Sequence, residues 1–428
     1  MRIGIIGAGG AGLAAAWLLE EDHDVVLFER DAMLGGHAHT VDVDAPGRET
    51  LGVEGAFEFF SERMFPTFVR YLRLLDVPFR PYPMTITVHS TDHRVTTLAP
   101  PIRFGDTWRF ALGPRRARRL LALLRMIRAS KELVEGCDRT TTIGDFFRGL
   151  AVDEGSRTDF LEPFLRAGWC VGRADFERFI ASDVLSYWYR SQVARFVSAP
   201  WLEIEGGMRS YVDAVARQLG RATVRRGSPI RRIQRRGSDL VAVHGSGEAH
   251  AFDRIVLATN AAIAGSLLDG LAGAEAARDA LGRVRYFQAR IAIHGDRRLM
   301  PRERADWSVV NVRFDAENAH TTVFRRLDAG PPVFKSWVTY EKELPQPLYH
   351  LVTYDHPMVD RVYFETQARL QALQGEGSIF HAGMHVHDVD CHESAICSAV
   401  EVACRLAPDG GRLRRLAPEV VHRERSSD

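Results

Sequence analysis

The chain has 428 residues, of which 46% are hydrophobic and 26% charged, and its formal net charge is +1. These values are typical of a soluble globular protein, exclude a disordered or membrane-spanning chain, and provide no overall charge for binding nucleic acid. A single hydrophobic core stops growing at roughly 250–300 residues, so the length predicts two lobes.

Cysteine usage and the first residues indicate a reducing compartment. The five cysteines are odd in number and lack CxxC spacing, which argues against a disulfide framework or a zinc site. The opening sequence MRIGIIGAGG places an apolar strand and glycines where a signal peptide would need a longer apolar run. We therefore expect a cytoplasmic protein.

The first motif is a short apolar strand, residues 3–6, that leads into the G-x-G-x-x-G pattern and then into a helix-forming segment, residues 13–19. In this motif the first glycine permits a tight turn, the second lets a pyrophosphate approach the backbone, and the third lets the helix pack against the strand. The free amides of the helix N-terminus then face the phosphates. The predicted dinucleotide contacts are Gly7, Gly9, Gly10, Ala11 and Gly12.

A second strand, residues 24–28, ends in Glu29, about twenty residues after the glycines, as recognition of a ribose requires. We assign Glu29 and the adjacent Arg30 to the nucleotide site. A glycine-rich turn in an unrelated βαβ unit is the alternative. NAD and FAD share this fingerprint, so the acid alone does not separate them.

Residues 33–37, Met-Leu-Gly-Gly-His, resemble the second glycine pair of FAD-binding amine oxidases and phytoene desaturases, which favours FAD. The resemblance is closest to a bacterial family of NAD/FAD-binding flavoproteins related to those two groups. The segments that carry it are 35–40, 53–57, 63–68, 206–212, 299–301, 305–308, 356–357, 374–375 and 392–393.

This resemblance implies an α/β fold of the kind found in amine oxidases and phytoene desaturases. A discontinuous Rossmann-type FAD-binding domain would consist of residues 1–75, 200–265 and 365–420. A second, α+β substrate domain would consist of residues 76–199 and 266–364. Within the first domain, residues 223–234 predict strand, turn and strand, residues 252–260 and 378–383 predict buried strands, and residues 394–406 predict the last helix.

The resemblance also implies further cofactor contacts, which are Gly35, Gly36, His37, Ala56, Phe57, Ile230, Thr259, Gly383, Met384, Glu393, Ser394 and Ala395. The sequence departs from the family pattern at three places. Ala56 stands where glycine is usual, and Glu54 stands for an aspartate. Residues 390–395 read Asp-Cys-His-Glu-Ser-Ala instead of a run like Gly-Phe-His-Glu-Asp-Gly. The substrate or the reaction type can therefore differ from the family's usual one.

Residues 385–393 contain seven potential metal ligands or acid–base groups in nine positions. They fall in a loop where the flavin is expected, so we predict polar contacts with the flavin and no metal. His392 and Glu393 are the catalytic candidates, as a proton donor or a carboxylate near the flavin. Helix capping and hydrogen bonding are the structural alternative.

Two other sets of residues bear on the substrate. The aromatic residues in segments 57–60 and 187–189, and Trp169, either line an apolar pocket or belong to the core. Residues 114–131 alternate arginines with leucine and isoleucine. Such a segment is either a solvated helix with one buried face or a peripheral helix touching anionic lipid.

These features predict an FAD-dependent oxidoreductase. We expect it to oxidise or desaturate an apolar lipid, acyl or polyketide-like substrate by hydride transfer to the flavin, which O2 or another acceptor reoxidises. Three alternatives remain at this point. They are a redox-neutral double-bond isomerase, an amine oxidase, and a non-catalytic nucleotide-binding protein.

Overall fold

The computed structural model describes residues 1–47, 49–98, 103–104, 107–108, 114–194, 197–325 and 330–419. Among these residues, no helix is both long enough and apolar enough to cross a membrane.

The helices, in chain order, are α1 Gly10–Leu19, α2 Pro66–Leu74, α3 Pro114–Glu135, α4 Ile143–Gly149, α5 Glu154–Ser156, α6 Glu162–Arg166, α7 Arg173–Phe176, α8 Ala181–Tyr189, α9 Met208–Gln218, α10 Ala261–Leu267, α11 Glu275–Gly282, α12 Arg361–Ala372, α13 His392–Leu406 and α14 Gly411–Leu416. A π-helical turn, Arg157–Leu161, joins α5 to α6.

The strands are β1 Arg2–Ile6, β2 Asp24–Phe28, β3 Thr40–Val43, β4 Leu51–Glu54, β5 Phe79–Tyr82, β6 Ile86–Ser90, β7 Thr96–Leu98, β8 Arg103–Phe104, β9 Thr107–Trp108, β10 Gln192–Ala194, β11 Val197–Ser198, β12 Trp201–Ile204, β13 Thr223–Arg225, β14 Ile230–Arg236, β15 Asp239–His244, β16 Ala249–Phe252, β17 Arg254–Leu257, β18 Tyr286–His294, β19 Val310–Phe314, β20 Ala319–Phe324, β21 Phe334–Trp337, β22 Leu348–Pro357 and β23 Ile379–His381.

A five-stranded parallel sheet, in the order β13-β2-β1-β17-β23, organises the part of the chain that begins at residue 2. After their first residues, β1 and β2 are buried without alternation, because helices cover both faces of a parallel sheet. α1 is apolar on all sides and almost wholly buried, as a helix packed between a sheet and other helices must be. It packs between this sheet and α13.

Two predicted strands differ from the structure. Residues 223–234 form the expected strand, turn and strand, but only β13 joins the parallel sheet, whereas β14 pairs with β15 in a three-stranded antiparallel sheet. The single strand predicted at 252–260 is instead the end of β16 and all of β17. The chain turns at Asp253, whose carboxylate accepts a hydrogen bond from the N–H of Arg2 at 2.6 Å and whose own N–H donates to the Arg2 carbonyl. Asn260 then caps α10 by accepting from the N–H of Ile263.

A seven-stranded mixed sheet forms the other large unit, in the order β22-β18-β21-β20-β19-β6-β7. β6 and β19 are its parallel pair, and the other neighbouring strands are antiparallel. β18 and β22 pair along almost their full lengths, from Tyr286 opposite Pro357 to His294 opposite Leu348. Together with the parallel sheet, this confirms the predicted α/β fold class.

The predicted basic segment lies in α3. Ala122, Met126 and Val134 are buried at helical spacing on one face, while Leu121 on another face is 53% exposed. The side chains of Arg115 and Arg116, part of the predicted basic surface, lie outside the described residues. Contact of α3 with a membrane therefore stays a prediction.

Candidate functional site

The turn between β1 and α1 is made of glycines with different roles. Gly7 has a φ of +100°, and a Cβ there would lie 2.6 Å from the Ala258 carbonyl oxygen. A Cβ on Gly12 would lie 1.8 Å from the carbonyl oxygen of Gly7. A Cβ on Gly9 would meet no atom within 4 Å. Gly7 and Gly12 therefore allow β1, α1 and β17 to pack together, whereas the space over Gly9 is free for a ligand.

That space lies at the N-terminus of α1, which begins at Gly10. No side chain caps this terminus, and its first turn contains no acidic residue. Its amides and the positive end of the helix dipole favour an anion. The turn thus fits the pyrophosphate of a dinucleotide. The glycine at position 9 leaves open the space that a phosphate would occupy, and any side chain there would fill it.

Glu29 follows β2 and is held beside this turn. Its Oε2 accepts a hydrogen bond from the N–H of Ala8 at 2.8 Å, and its Oε1 accepts from the N–H of Asp31 at 3.0 Å. This places a carboxylate where the ribose hydroxyls of a dinucleotide would lie. Arg30, in contrast, is an exposed surface residue 3.4 Å from the carboxylate of Asp31.

The second glycine pair, Gly35 and Gly36, contacts the glycine turn that follows β1. The N–H of Gly35 donates to the Ala8 carbonyl at 2.8 Å. Gly35 and Gly36 have φ values of +113° and +57°, and a Cβ on Gly36 would lie 3.2 Å from the Cα of Gly9. The two glycine motifs, 28 positions apart from Gly7 to Gly35, therefore form one continuous backbone surface.

His37 directly follows the second glycine pair in the sequence. Its ring makes an edge contact with that of Tyr354 on β22, with the centroids 4.5 Å apart. Burial, and secondarily the neighbouring His356, lowers the pKa of His37 to about 4. His37 is thus neutral at neutral pH.

His392 is the first residue of α13 and packs onto the glycine turn. Its ring stacks on Phe57 with a centroid distance of 4.9 Å and meets the edge of Phe68, and a Cβ on Gly10 would lie 2.6 Å from its Cε1. Burial lowers the pKa of His392 to about 3. The buried Nε2 has no hydrogen-bond partner in the described part of the chain. The structure therefore brings His392 and Phe57 next to the glycine turn.

The side chain of Glu393 points towards the start of α2. Its two carboxylate oxygens accept hydrogen bonds from the N–H groups of Thr67 at 2.7 Å and Phe68 at 2.8 Å, the first amides of α2. Burial raises the pKa of Glu393. This is the helix-capping geometry, and it leaves a catalytic role for Glu393 as an untested prediction.

The loop at 385–393 does not gather its ligating groups at one point. His387 lies 2.8 Å from the carboxylate of Glu401, and Asp388 accepts from Arg139 at 2.8 Å. Within the residues that the structure describes, no group of three or more His, Cys, Asp or Glu side chains is arranged to hold a metal ion.

The remaining predicted cofactor residues have varied surroundings. Thr259 lies beside Gly7, with its methyl 3.0 Å from the position of a Cβ there. The N–H of Gly383, which has a φ of +143°, donates to the Ser398 hydroxyl at 2.8 Å. Ser394 and Ala395 are buried in the first turn of α13, and Met384 lies in a short 3-10 turn. Ile230, in contrast, is the first residue of β14, which belongs to the three-stranded antiparallel sheet and not to the parallel sheet.

Sequence reasoning missed a buried ionic network beneath Ala56. The ammonium of Lys335 on β21 lies 2.5 Å from the Glu58 carboxylate and 3.2 Å from the carbonyl oxygen of Ala56. Arg325 joins Glu58 to Glu203 with contacts of 2.9 and 2.8 Å. Burial alone would raise the pKa of Glu58, but the charges of Lys335 and Arg325 outweigh it and hold that pKa below its ordinary value. No motif in the sequence marks these residues.

The sequence matches the model of a known protein family. The family model described as flavin containing amine oxidoreductase matches residues 11–290, more than half of the chain. No protein of curated function matches the sequence.

Among solved structures, cyclohexylamine oxidase from Brevibacterium oxydans IH-35A has a TM-score of 0.68 at 15% sequence identity, covering 95% of this chain and 99% of that chain. The CLA-producing fatty acid isomerase from P. acnes has a TM-score of 0.69 at 15% identity, covering 95% and 98%. Putrescine oxidase bound to putrescine has a TM-score of 0.66 at 12% identity, covering 95% and 99%. At these identities the likeness shows a common fold.

Proposed function

We propose that this chain, which belongs to the family of flavin-containing amine oxidoreductases and is an FAD-dependent oxidoreductase, acts on an apolar, acyl-like substrate. When bound, FAD supplies the acceptor for a hydride taken from a C–H bond of the substrate. The protein then has to hold the cofactor, position the substrate carbon and exclude water.

Three parts of the chain would hold FAD. The amides at the start of α1 and the open space over Gly9 suit the pyrophosphate. Glu29 is placed for the ribose hydroxyls. Beyond Gly36, the ring system of the flavin would extend towards His37, which follows the second glycine pair, and His392, which packs onto Gly10.

The observation that carries the proposed substrate class is the aromatic packing beside the glycine motifs, where His37 contacts Tyr354 and His392 stacks on Phe57. Burial lowers the pKa of His37 and His356 to about 4 and that of His392 to about 3, so all three are neutral at neutral pH. An ionic substrate group that leaves water needs a charged partner, whereas an acyl chain does not. Aromatic rings complete these walls, since Phe57 stacks on His392 and Phe287 packs against His356.

Of the predicted aromatic pocket residues, Trp169 packs against the rings of Phe176, Phe179 and Tyr187 and is 6% exposed. Phe57, in contrast, is only partly buried. We therefore assign the substrate wall to Phe57 and the core to Trp169.

The fold is compatible with an acyl substrate, because a protein described as a fatty acid isomerase shares it. The same likeness favours redox-neutral isomerisation of a double bond as a second candidate reaction. Both reactions require removal of a hydride from a carbon next to an unsaturated or activated centre. They differ in whether the hydride returns to the substrate.

One anaerobic mixing experiment tests the proposal. FAD-loaded protein is mixed with a long-chain unsaturated fatty acid or with an aliphatic amine, and the flavin absorbance is followed. Lasting bleaching by the fatty acid indicates net oxidation, and a rearranged product without lasting bleaching indicates isomerisation. Bleaching by the amine alone would contradict the apolar substrate class.

A further inference from the structure

A surface cavity of about 560 Å³ is formed by the turn between β6 and β7 and by the segment that joins β18 to β19. Its volume lies within the range of roughly 300–1,000 Å³ that is typical of small-molecule sites. Among the described residues that line it, four are arginines and none is acidic. The lining residues are His93, Arg297, Arg298, Met300, Pro301, Arg302, Arg304 and Trp307.

The inner side of this cavity is apolar and well packed. Met300 is 1% exposed and Trp307 7% exposed. The indole N–H of Trp307 donates to the carbonyl of Pro301 at 2.8 Å, which closes the loop between them. The rings of Phe324 and Phe334 pack against Trp307, with centroid distances of 5.4 and 5.5 Å. A bound molecule would therefore contact a fixed apolar surface.

Two of the four arginines are already held in position. The Nε of Arg298 donates to the Asp296 carboxylate at 2.7 Å, and one of its terminal nitrogens donates to the carbonyl of Glu343 at 2.6 Å. The guanidinium carbon of Arg304 lies 4.0 Å from the centroid of the Trp307 ring. Side chains that are held in this way lose less conformational freedom when a ligand binds.

The other two arginines have no partner. Arg297 and Arg302 are both exposed, and neither guanidinium is in an ion pair or a hydrogen bond within the part of the chain that the structure describes. Nearby carboxylates do not neutralise the cavity, because none of them lines it, and those of Asp92 and Asp296 are each bonded to an arginine of their own segment. The cavity therefore presents unbalanced positive charge.

His93 brings a further basic group to the cavity. Its φ is +59°, in the left-handed region, where residues other than glycine are uncommon and cluster at functional sites. Its ring stacks on that of buried His89, with the centroids 5.7 Å apart. Burial, followed by the neighbouring His93 and Arg313, lowers the pKa of His89 to about 3. The surroundings of His89 thus disfavour any additional positive charge.

The cavity is separate from the proposed cofactor site. None of its lining residues belongs to the glycine turn, the parallel sheet or α13. Segments 299–301 and 305–308, which carry part of the family resemblance, contribute its inner side. The proposed binding of FAD and of an acyl substrate gives these segments no role.

We propose that this cavity binds a molecule that carries a phosphate group. Guanidinium groups donate pairs of parallel N–H groups to phosphate oxygens, and a phosphate monoester carries a charge of roughly −1.5 to −2 at neutral pH. A single carboxylate would leave most of these cations unbalanced. The apolar part of the molecule would lie against Trp307. The arginines around the phosphate would be Arg297, Arg298, Arg302 and Arg304.

The test is calorimetric titration of the FAD-loaded protein with inorganic pyrophosphate, since bound FAD already occupies the glycine turn. We expect saturable binding that weakens as the salt concentration rises. Arg297→Gln and Arg302→Gln should each weaken it about tenfold, because each removes a charged donor. Both side chains are exposed, so the unfolding midpoints should stay at the wild-type value. Arg236→Gln, which changes an exposed arginine on β14, is the matched control and should bind like the wild type.

A second arm distinguishes the source of the phosphate. Sedimentation with phosphatidylcholine vesicles, with and without phosphatidic acid, measures binding to a lipid headgroup. Binding of pyrophosphate that depends on Arg297 and Arg302 identifies a soluble phosphate compound, and equally dependent binding to the phosphatidic acid vesicles alone identifies a lipid.

Three results would overturn the inference. They are no binding of either probe, equal binding by the two cavity variants and Arg236→Gln, and tighter binding of malonate than of pyrophosphate. Because no acyl substrate is used, failure of the acyl substrate class in the anaerobic mixing experiment would leave these outcomes unchanged.

Discussion

The carboxylate of Glu29 accepts a hydrogen bond from the backbone N–H of Ala8 at 2.8 Å, which ties the end of β2 to the turn after β1. The carbonyl of Ala8 accepts in turn from the N–H of Gly35. Ala8 therefore connects the glycine turn to Glu29 and to the second glycine pair. This arrangement holds the nucleotide site in place before a cofactor binds.

Gly12→Ala will destabilise the fold. The new methyl would lie 1.8 Å from the Gly7 carbonyl oxygen, so α1 has to move away from β1. Overpacking of this kind costs roughly 1–3 kcal/mol, and more where backbone must shift. Urea unfolding of the cofactor-free protein measures the change. Gly9→Ala places the same methyl in open space and should unfold like the wild type. Equal midpoints for the two variants would contradict this account of the turn.

Glu393→Ala will lower stability by about 1–3 kcal/mol, because it removes the acceptors of the first amides of α2. Thermal and urea unfolding measure the loss. Glu393→Gln, which keeps one acceptor oxygen, should lose less. If Glu393 instead acts in catalysis, Glu393→Gln will slow flavin reduction by substrate while its unfolding midpoint stays at the wild-type value.

Lys335→Met will destabilise the protein by about 3–5 kcal/mol, because it removes one of the two cations beside buried Glu58 and leaves Arg325 shared between two buried carboxylates, Glu58 and Glu203. Adding Glu58→Gln should recover a large part of this loss. A double-mutant cycle followed by urea unfolding gives the coupling between the two residues. Additive losses would show that Lys335 and Glu58 do not stabilise each other.

The protein will lose stability as the pH falls below about 6.5, the pKa of an unfolded histidine. Burial lowers the pKa of His381 to about 4 and that of His385 to about 3, so the unfolded chain binds protons that the folded chain does not. Each group contributes a slope of up to about 1.4 kcal/mol per pH unit below that pH and none above it. The free energy of unfolding at several pH values measures the slope. It should be smaller in His385→Gln, and an unchanged slope would exclude His385 as a source.

The features that were predictable from the sequence are local. The first 29 residues contain β1, the glycine turn, α1 and β2 in succession. Binding of a dinucleotide requires a known spacing between the glycines and the acid that binds the ribose. The same holds for the start of α13, which begins at His392, two residues before its predicted start. Residue type and short spacing sufficed in both cases.

Contacts between distant residues were not predictable. Glu393 is 326 positions from the first amide it caps, and Asp390, whose N–H donates to the carboxylate of Asp183, is 207 positions from it. Residue type and periodicity do not indicate which helix a carboxylate will contact. β14 shows the same limit, because its sequence is compatible with either sheet and its pairing with β15 decides the placement of Ile230.

The uptake of FAD by Gly9→Val tests directly whether the glycine turn after β1 holds the cofactor. The φ of Gly9 is −73°, and a Cβ there meets no atom, so the variant should fold like the wild type. The added side chain fills the phosphate cradle, so affinity for FAD, measured by titration of the cofactor-free protein, should fall about 100-fold or more, equivalent to about 2.7 kcal/mol. Binding of FAD with wild-type affinity by a folded Gly9→Val protein would contradict the assignment of this turn as the cofactor site.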